Sequence, residues 1–219
     1  VKHQKKGTWS YTGTSNGDNS ITQFALLGLK AAKDAGIAVN RNVFNASAEH
    51  FIKTQNDQGG WGYSGRGSER PSMTAAGLAS LSICGLKREK SLELSKGPRF
   101  IGKYSKNINI DRGIENIGRI LKTKPQNIFV NNSYPSYTAY AVERVGILYD
   151  RKRIGDSDWF LQGAGFLVNK RLIRYSRYLP FELLFLAKGD KPMLFNKIIW
   201  GRTDEWNLRH SDVRHTVDS

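Results

Sequence analysis

The sequence predicts an all-α chain built of repeated helix pairs. Three observations carry the prediction: a Ser-x-Thr helix opening that occurs three times, an alternation of apolar, small-residue helices with amphipathic ones, and the scarcity of strand signals. The 219 residues are 39% apolar and 11% aromatic, enough to build a core in one or two domains.

In chain order, the first signal is "GTWSY", Gly7 to Tyr11, which matches "GGWGY", Gly59 to Tyr63, and reads as the tail of an outer helix lying before residue 1. The apolar helices open at Ser20 ("SITQFALLGLKAA"), Ser72 ("SMTAAGLASLSIC") and Ser136 ("SYTAYAVERVGIL"), each preceded by Asn19, Pro71 or Pro135. A Ser or Asn oxygen can cap the free N–H groups of a first turn, and Pro is tolerated there. A fourth copy, "LPFELLFLAKGD" from Leu179, keeps the apolar body without the Ser-x-Thr. Between these lie amphipathic helices: "NVFNASAEHFIKTQ" from Asn42, "DRGIENIGRILK" from Asp111 and "DWFLQGAGFLVNK" from Asp158. In the first of them, Phe44, Ala48, Phe51 and Ile52 share a face and Glu49, His50 and Lys53 are expected to point away. It ends in "QNDQGGW": Gln55 closes the helix, Gly59 and Gly60 permit a tight turn, and Trp61 is left to cover the flank of the adjoining pair. From Lys191 the helical pairing is lost, and residues 191–219 read as a linker or the start of a further domain after a repeat region spanning 1–190.

Thirty-four Lys and Arg against nineteen Asp and Glu give a formal charge of +15. The excess is spread along the chain, thickening at Lys2 to Lys6, Lys87 to Lys106, "RKR" 151–153 and "KRLIRYSR" 170–177. That distribution reads as a solvated basic surface, with weak adsorption to anionic lipid as a consequence. No zinc-finger spacing or aromatic RNP sequence accompanies it, so no specific nucleic-acid partner is expected. The apolar runs "FALLGL" and "FELLFLA" fall far short of the roughly 20 residues that cross a bilayer. Val1 stands in "VKHQKKG", with neither an initiator Met nor an apolar leader, so the chain is expected to be a piece of a longer protein and its location is not readable. Its single cysteine, Cys84, excludes an internal disulfide and a cysteine-cluster zinc site; within "LASLSICGL" it reads as a buried structural thiol.

The Gln-x-x-x-Gly-Gly-Trp of Gln55 to Trp61, followed by "SMTAAGLASLSICG", resembles the QW repeat of squalene and oxidosqualene cyclases and of prenyltransferase beta subunits. The resemblance runs from Gly7 to Asp190 and is closest over residues 18–86; it is also to bacterial proteins of unassigned activity that carry prenyltransferase and squalene oxidase repeats. It implies an alpha/alpha toroid, inner and outer helices in concentric rings around a lumen, with Trp9, Gln55, Gly59, Gly60 and Trp61 as repeat-structural residues. Such a ring closes with about six pairs, whereas four inner and three outer helices are counted here, so a partial ring of about four pairs, lacking N-terminal repeats, is expected.

The cyclases hold their proton-donating acid in Asp-x-Asp-Asp, which is absent; Asp156-Ser157-Asp158 and "NIDRG", Asn109 to Gly113, instead suit N-caps and helix-dipole partners. The Asp, Cys and His that the beta subunits place on zinc have no counterpart around Cys84 or the four histidines, so neither a metal nor any other cofactor is expected. No nucleophile arrangement, P-loop or dinucleotide fingerprint is present. What remains is a candidate lumen, which the resemblance to toroids implies is lined by the inner helices near their N-termini, where Asp18, Asn19, Thr22, Gln23, Thr74, Tyr134, Tyr137, Tyr140 and Arg144 fall. These either form a pocket for a hydrogen-bonding ligand or cap helices and fill gaps. Glu143 and Arg144 break the small-residue pattern of an inner helix and are therefore either paired or functional. The expected role is a cyclase-like helical repeat without cyclase chemistry, binding a ligand in its lumen or contacting other domains of its polypeptide. The alternative is an isoprenoid-processing enzyme whose catalytic residues lie outside this chain.

Overall fold

The computed structural model describes residues 3–12, 17–92, 96–169 and 179–189. Within them the chain is all-α, with eight helices and two small two-stranded ribbons. The helices are α1 (Asn19–Asp34), α2 (Arg41–Thr54), α3 (Pro71–Ile83), α4 (Ile108–Thr123), α5 (Gln126–Phe129), α6 (Pro135–Leu148), α7 (Trp159–Asn169) and α8 (Leu179–Gly189). The ribbons are β1 (Glu89–Ser91) with β2 (Tyr104–Lys106), and β3 (Arg153–Ile154) with β4 (Ser157–Asp158), both antiparallel. The tail read as a linker or further domain, from Lys191, lies outside the described residues.

The four apolar helices form a row in which α1 packs on α3, α3 on α6 and α6 on α8. The amphipathic helices α2 and α4 pack on α3, and α7 packs on α6 and α8. Helix α3 explains its own composition: residues 73–81 are all buried, so only small or apolar side chains suit it, and no face is left for charge. By contrast α4 buries Ile110, Gly113, Ile114, Ile117 and Leu121, a single stripe at helical spacing. No helix among the described residues is long and apolar enough to cross a membrane.

Several local expectations are corrected. The residues Ser72 and Ser136 cap nothing, because α3 and α6 begin on Pro71 and Pro135 without a side-chain cap, whereas α1 is capped by Asp18, whose carboxylate accepts from Ile21 N. At the start of α4 the cap is Asn107 rather than the Asp of "NIDRG"; Asp111 sits in the first turn and accepts from Arg88 Nε at 2.7 Å. In the Asp156-Ser157-Asp158 stretch, Asp158 does cap, accepting from Leu161 N at 2.9 Å. On α2 the buried face is Val43, Phe44, Ser47, Ala48 and Phe51; Ile52 lies off it, 40% exposed, and His50 turns inward. Trp9 is buried in the core.

The turn around Trp61 shows why a tryptophan stands between glycines. Its ring is fully buried, its indole N–H donates to Phe51 O at 2.8 Å, and it lies edge-on to the Phe51 ring. A methyl on Gly77 of α3 would come within 2.7 Å of that ring, so the glycine in the inner helix is the socket for the tryptophan.

The first repeat is built the same way. Trp9 N donates to Thr22 Oγ1 at 3.0 Å and Trp61 N to Thr74 Oγ1 at 3.2 Å, both across thirteen residues. Trp9 O accepts from Asp18 N, and Trp61 O from Arg70 N, the residues before α1 and α3. Gly7 and Gly59 have φ near +82° and +83°, and a Cβ on either would lie 2.2 and 2.3 Å from a carbonyl of the next amphipathic helix, Ala46 O and Arg112 O. The threonine of Ser-x-Thr thus fastens the turn that precedes its helix, a job the spacing alone did not disclose.

Candidate functional site

The residues singled out from sequence divide into two groups. Asp18, Asn19, Thr22 and Thr74 are committed to the turns. Asn19 donates from Nδ2 to Gly62 O at 2.8 Å, and its Oδ1 accepts from His50 Nε2 at 2.8 Å. Thr22 Oγ1 also donates to Asp18 O at 2.7 Å. Gln55 donates from Nε2 to Gly59 O and to Asn109 O, and its Oε1 accepts from Asn109 Nδ2, so one side chain ties its own turn to the first turn of α4. Gly60 N donates to Asn56 Oδ1, and Asn56 and Asn116 both donate to Glu69 Oε2.

Gln4, which sequence reasoning passed over, has the corresponding role in the first repeat: its Nε2 donates to Val43 O at 2.9 Å and to Ser47 Oγ at 3.0 Å on α2. The signal was present in "QKKGTW", one residue shorter than "QNDQGGW".

His50 titrates where the turn is assembled. Burial holds its imidazole below the ordinary value of 6.5. The unfolded chain therefore binds a proton that the folded chain resists, and this contribution to stability is present above pH 6.5 and is lost as pH falls from there toward the folded value. The melting temperature of the protein is expected to drop between about pH 8 and about pH 5 by more than that of His50→Gln, whose amide still donates but does not titrate. Parallel pH dependence in both proteins would remove His50 from this account.

The second group lies along one face of α6 and the helices beside it. Tyr137, Tyr140 and Arg144 are spaced to share that face. Tyr137 Oη donates to Gln23 Oε1 of α1 at 3.0 Å, and burial pushes its phenol up to about 12, offset in part by Ser20 and by the charge of Arg144. Phe181 of α8 packs on both tyrosines, edge-on to Tyr137 and tilted on Tyr140, and Phe24 of α1 lies tilted against Tyr137. The guanidinium of Arg144 stands 5.6 Å from the centre of the Tyr140 ring. Side chains of α1, α6 and α8 therefore meet here, around the Tyr137 and Tyr140 rings.

Within this group polar demand exceeds supply. Gln23 Nε2 and both terminal nitrogens of Arg144 are buried without a hydrogen-bond partner among the described residues. All three are donors. Glu143, the residue before Arg144 on α6, is also buried. A further carboxylate that the sequence reading missed, Glu182 of α8, is 1% exposed and accepts from Ser136 Oγ at 2.6 Å through one oxygen. Its signal was the same as that of Glu143 and Arg144, a charge within an apolar helix.

Comparison with models of known protein families, with curated proteins and with solved structures finds no significant match.

Proposed function

We infer that the chain is a helical-repeat module that binds a ligand against the inner row of helices, in the manner of the alpha/alpha toroids that its Gln-to-Trp turn resembles. The observation that supports this reading is the set of buried donors without partners, Gln23 Nε2 and the Arg144 guanidinium, beside Tyr137 and Tyr140. A buried polar group left unpaired costs about 1–3 kcal/mol and a charge more, a burden that a fold carries for a use. A ligand presenting acceptor atoms would satisfy such donors, while the aromatic rings would cover its apolar part.

Such a site sets stability against function, and the test exploits that opposition. Arg144→Met keeps the volume and removes a buried guanidinium whose terminal nitrogens have no hydrogen-bond partner among the described residues, so it is expected to raise the unfolding free energy by about 1–4 kcal/mol in the free protein. The same variant is expected to lose stabilisation by acceptor-bearing apolar compounds, measured as melting shifts over a set of isoprenoid alcohols, acids and diphosphates. A strongly destabilised Arg144→Met would mean that the guanidinium is a structural tie, and the reading would fall. Product found by mass spectrometry after incubation with squalene or prenyl diphosphates would replace a binding module by an enzyme.

A further inference from the structure

A different part of the molecule gathers charge. Beyond the C-terminal ends of α3 and α6, the chain turns through Arg88 and Arg151 before re-entering regular structure. A groove of about 400 Å³ opens there against α4 and the β3–β4 ribbon, and Arg88, Arg119, Lys122, Arg151 and Arg153 all line it. A second groove of about 380 Å³ shares Arg88 and Arg151 and adds Lys87. The cations come from three separate stretches of sequence, 87–88, 119–122 and 151–153, so no single charge run accounts for their meeting.

The carboxylates on the first groove are Glu115 and Asp156. Asp156 is held below the usual carboxylate range by Lys122, which donates to it at 2.8 Å, and Arg88 is oriented by Asp111. Arg119 has a loose contact with Glu69, at 3.6 Å. Among the described residues no carboxylate stands within ion-pair distance of Arg151. Arg153, by contrast, donates from Nε and Nη2 to Asp156 O, which holds its guanidinium at the groove, and its charge adds to that of Lys122 on the Asp156 carboxylate. The backbone of Arg151 is fixed from two sides: its N–H donates to Gly146 O at 2.7 Å, and its carbonyl accepts from the buried Trp159 indole at 2.7 Å. The floor is bare backbone, Gly118 of α4 facing Gly155 of the ribbon, where a Cβ on Gly118 would stand 3.2 Å from Gly155 N.

We propose that this groove binds a phosphate-bearing group, with Arg151 and Arg153 as its principal ligands and Arg88 and Arg119 at its sides. Guanidinium forks match the paired oxygens of a phosphate, and a dianion suits a groove with five cations and two carboxylates. A nucleic-acid track is disfavoured because no aromatic side chain lines the first groove to stack a base. The phosphate can belong to a soluble ester or to a lipid headgroup, and the two are distinguished by experiment.

Inorganic phosphate, titrated against chloride at matched ionic strength and followed by NMR, is expected to bind the protein, and R151Q/R153Q is expected to lose about tenfold or more in affinity. R119Q should weaken binding less, and K30Q/K33Q on α1, which lines neither groove, should leave it unchanged. In parallel, phosphatidylcholine vesicles with and without phosphatidate are sedimented with the protein. Co-sedimentation that needs both phosphatidate and Arg151/Arg153 assigns a lipid headgroup; phosphate binding without it assigns a soluble ester. Phosphate no better than chloride, or equal losses in R151Q/R153Q and K30Q/K33Q, would leave only diffuse surface charge and overturn the proposal.

Discussion

Trp61→Ala is expected to lower the unfolding free energy by about 3–5 kcal/mol, enough to unfold a marginal repeat protein. The ring is fully buried, and three elements close on it: Phe51 at the end of α2, Gly77 of α3 and Gly113 of α4. Truncation leaves a hole that α3 cannot fill, because the residue facing it has no side chain. It also strands Phe51 O, which the indole N–H satisfies. Trp61→Phe keeps most of the volume and loses the hydrogen bond, so it should fall between the two. Urea unfolding followed by circular dichroism gives all three values, and a loss below about 1 kcal/mol for the alanine variant would show that the cavity collapses and that the tryptophan is not the centre of the repeat.

Gly59→Ala is the second large effect. At φ +83° an alanine is strained in itself, and its Cβ would stand 2.3 Å from Arg112 O, part of the α4 backbone that cannot swing aside. Together these cost about 2–5 kcal/mol. Gly7→Ala should behave alike, since its Cβ would meet Ala46 O at 2.2 Å. Gly36 gives the control: φ is +85° but nothing lies within 4 Å, so Gly36→Ala should cost only the backbone term, about 1–2 kcal/mol. Equal melting temperatures for Gly59→Ala and Gly36→Ala would mean that α4 does not press on the turn as described.

The helices were legible because burial writes itself into residue type. α3 is buried all round and reads as small and apolar; α4 is buried on one side and reads as a stripe. The Gly-Gly-Trp turn was legible because few arrangements ask for glycines around a tryptophan. The ribbon of β1 and β2 was not: "EKS" and "YSK" pair by backbone, Glu89 opposite Lys106 and Ser91 opposite Tyr104, with no alternation of apolar residues to announce it. The short α5 escaped for a related reason, since its two buried residues, Ile128 and Phe129, are too few to show a period.

For the candidate site, the sequence marked where polarity interrupts an apolar helix but not whether the interruption is answered. Asn19 is answered, by Gly62 and His50, which lie 43 and 31 residues away. Arg144 and Gln23 are not answered by any described residue through the atoms named, and nothing in "SITQFALL" or "YAVERVG" separates the one case from the other. Partnership across such distances is a property of the packed chain alone.

The glutamine clasps carry a consequence about phase. Gln4, ahead of α1, fastens α2, and Gln55, at the end of α2, fastens α4, so each clasp precedes an apolar helix and closes on the amphipathic helix that follows it. The reading frame in which the chain is cut into helix pairs is therefore not the frame in which it holds together. A segment excised at the ends of a pair carries away a clasp without its acceptor and leaves a first turn without its lock, whereas a segment cut from one glutamine to the next keeps each clasp with its acceptor. The cooperative unit of this architecture runs from clasp to clasp, and the helix pair is only its visible half.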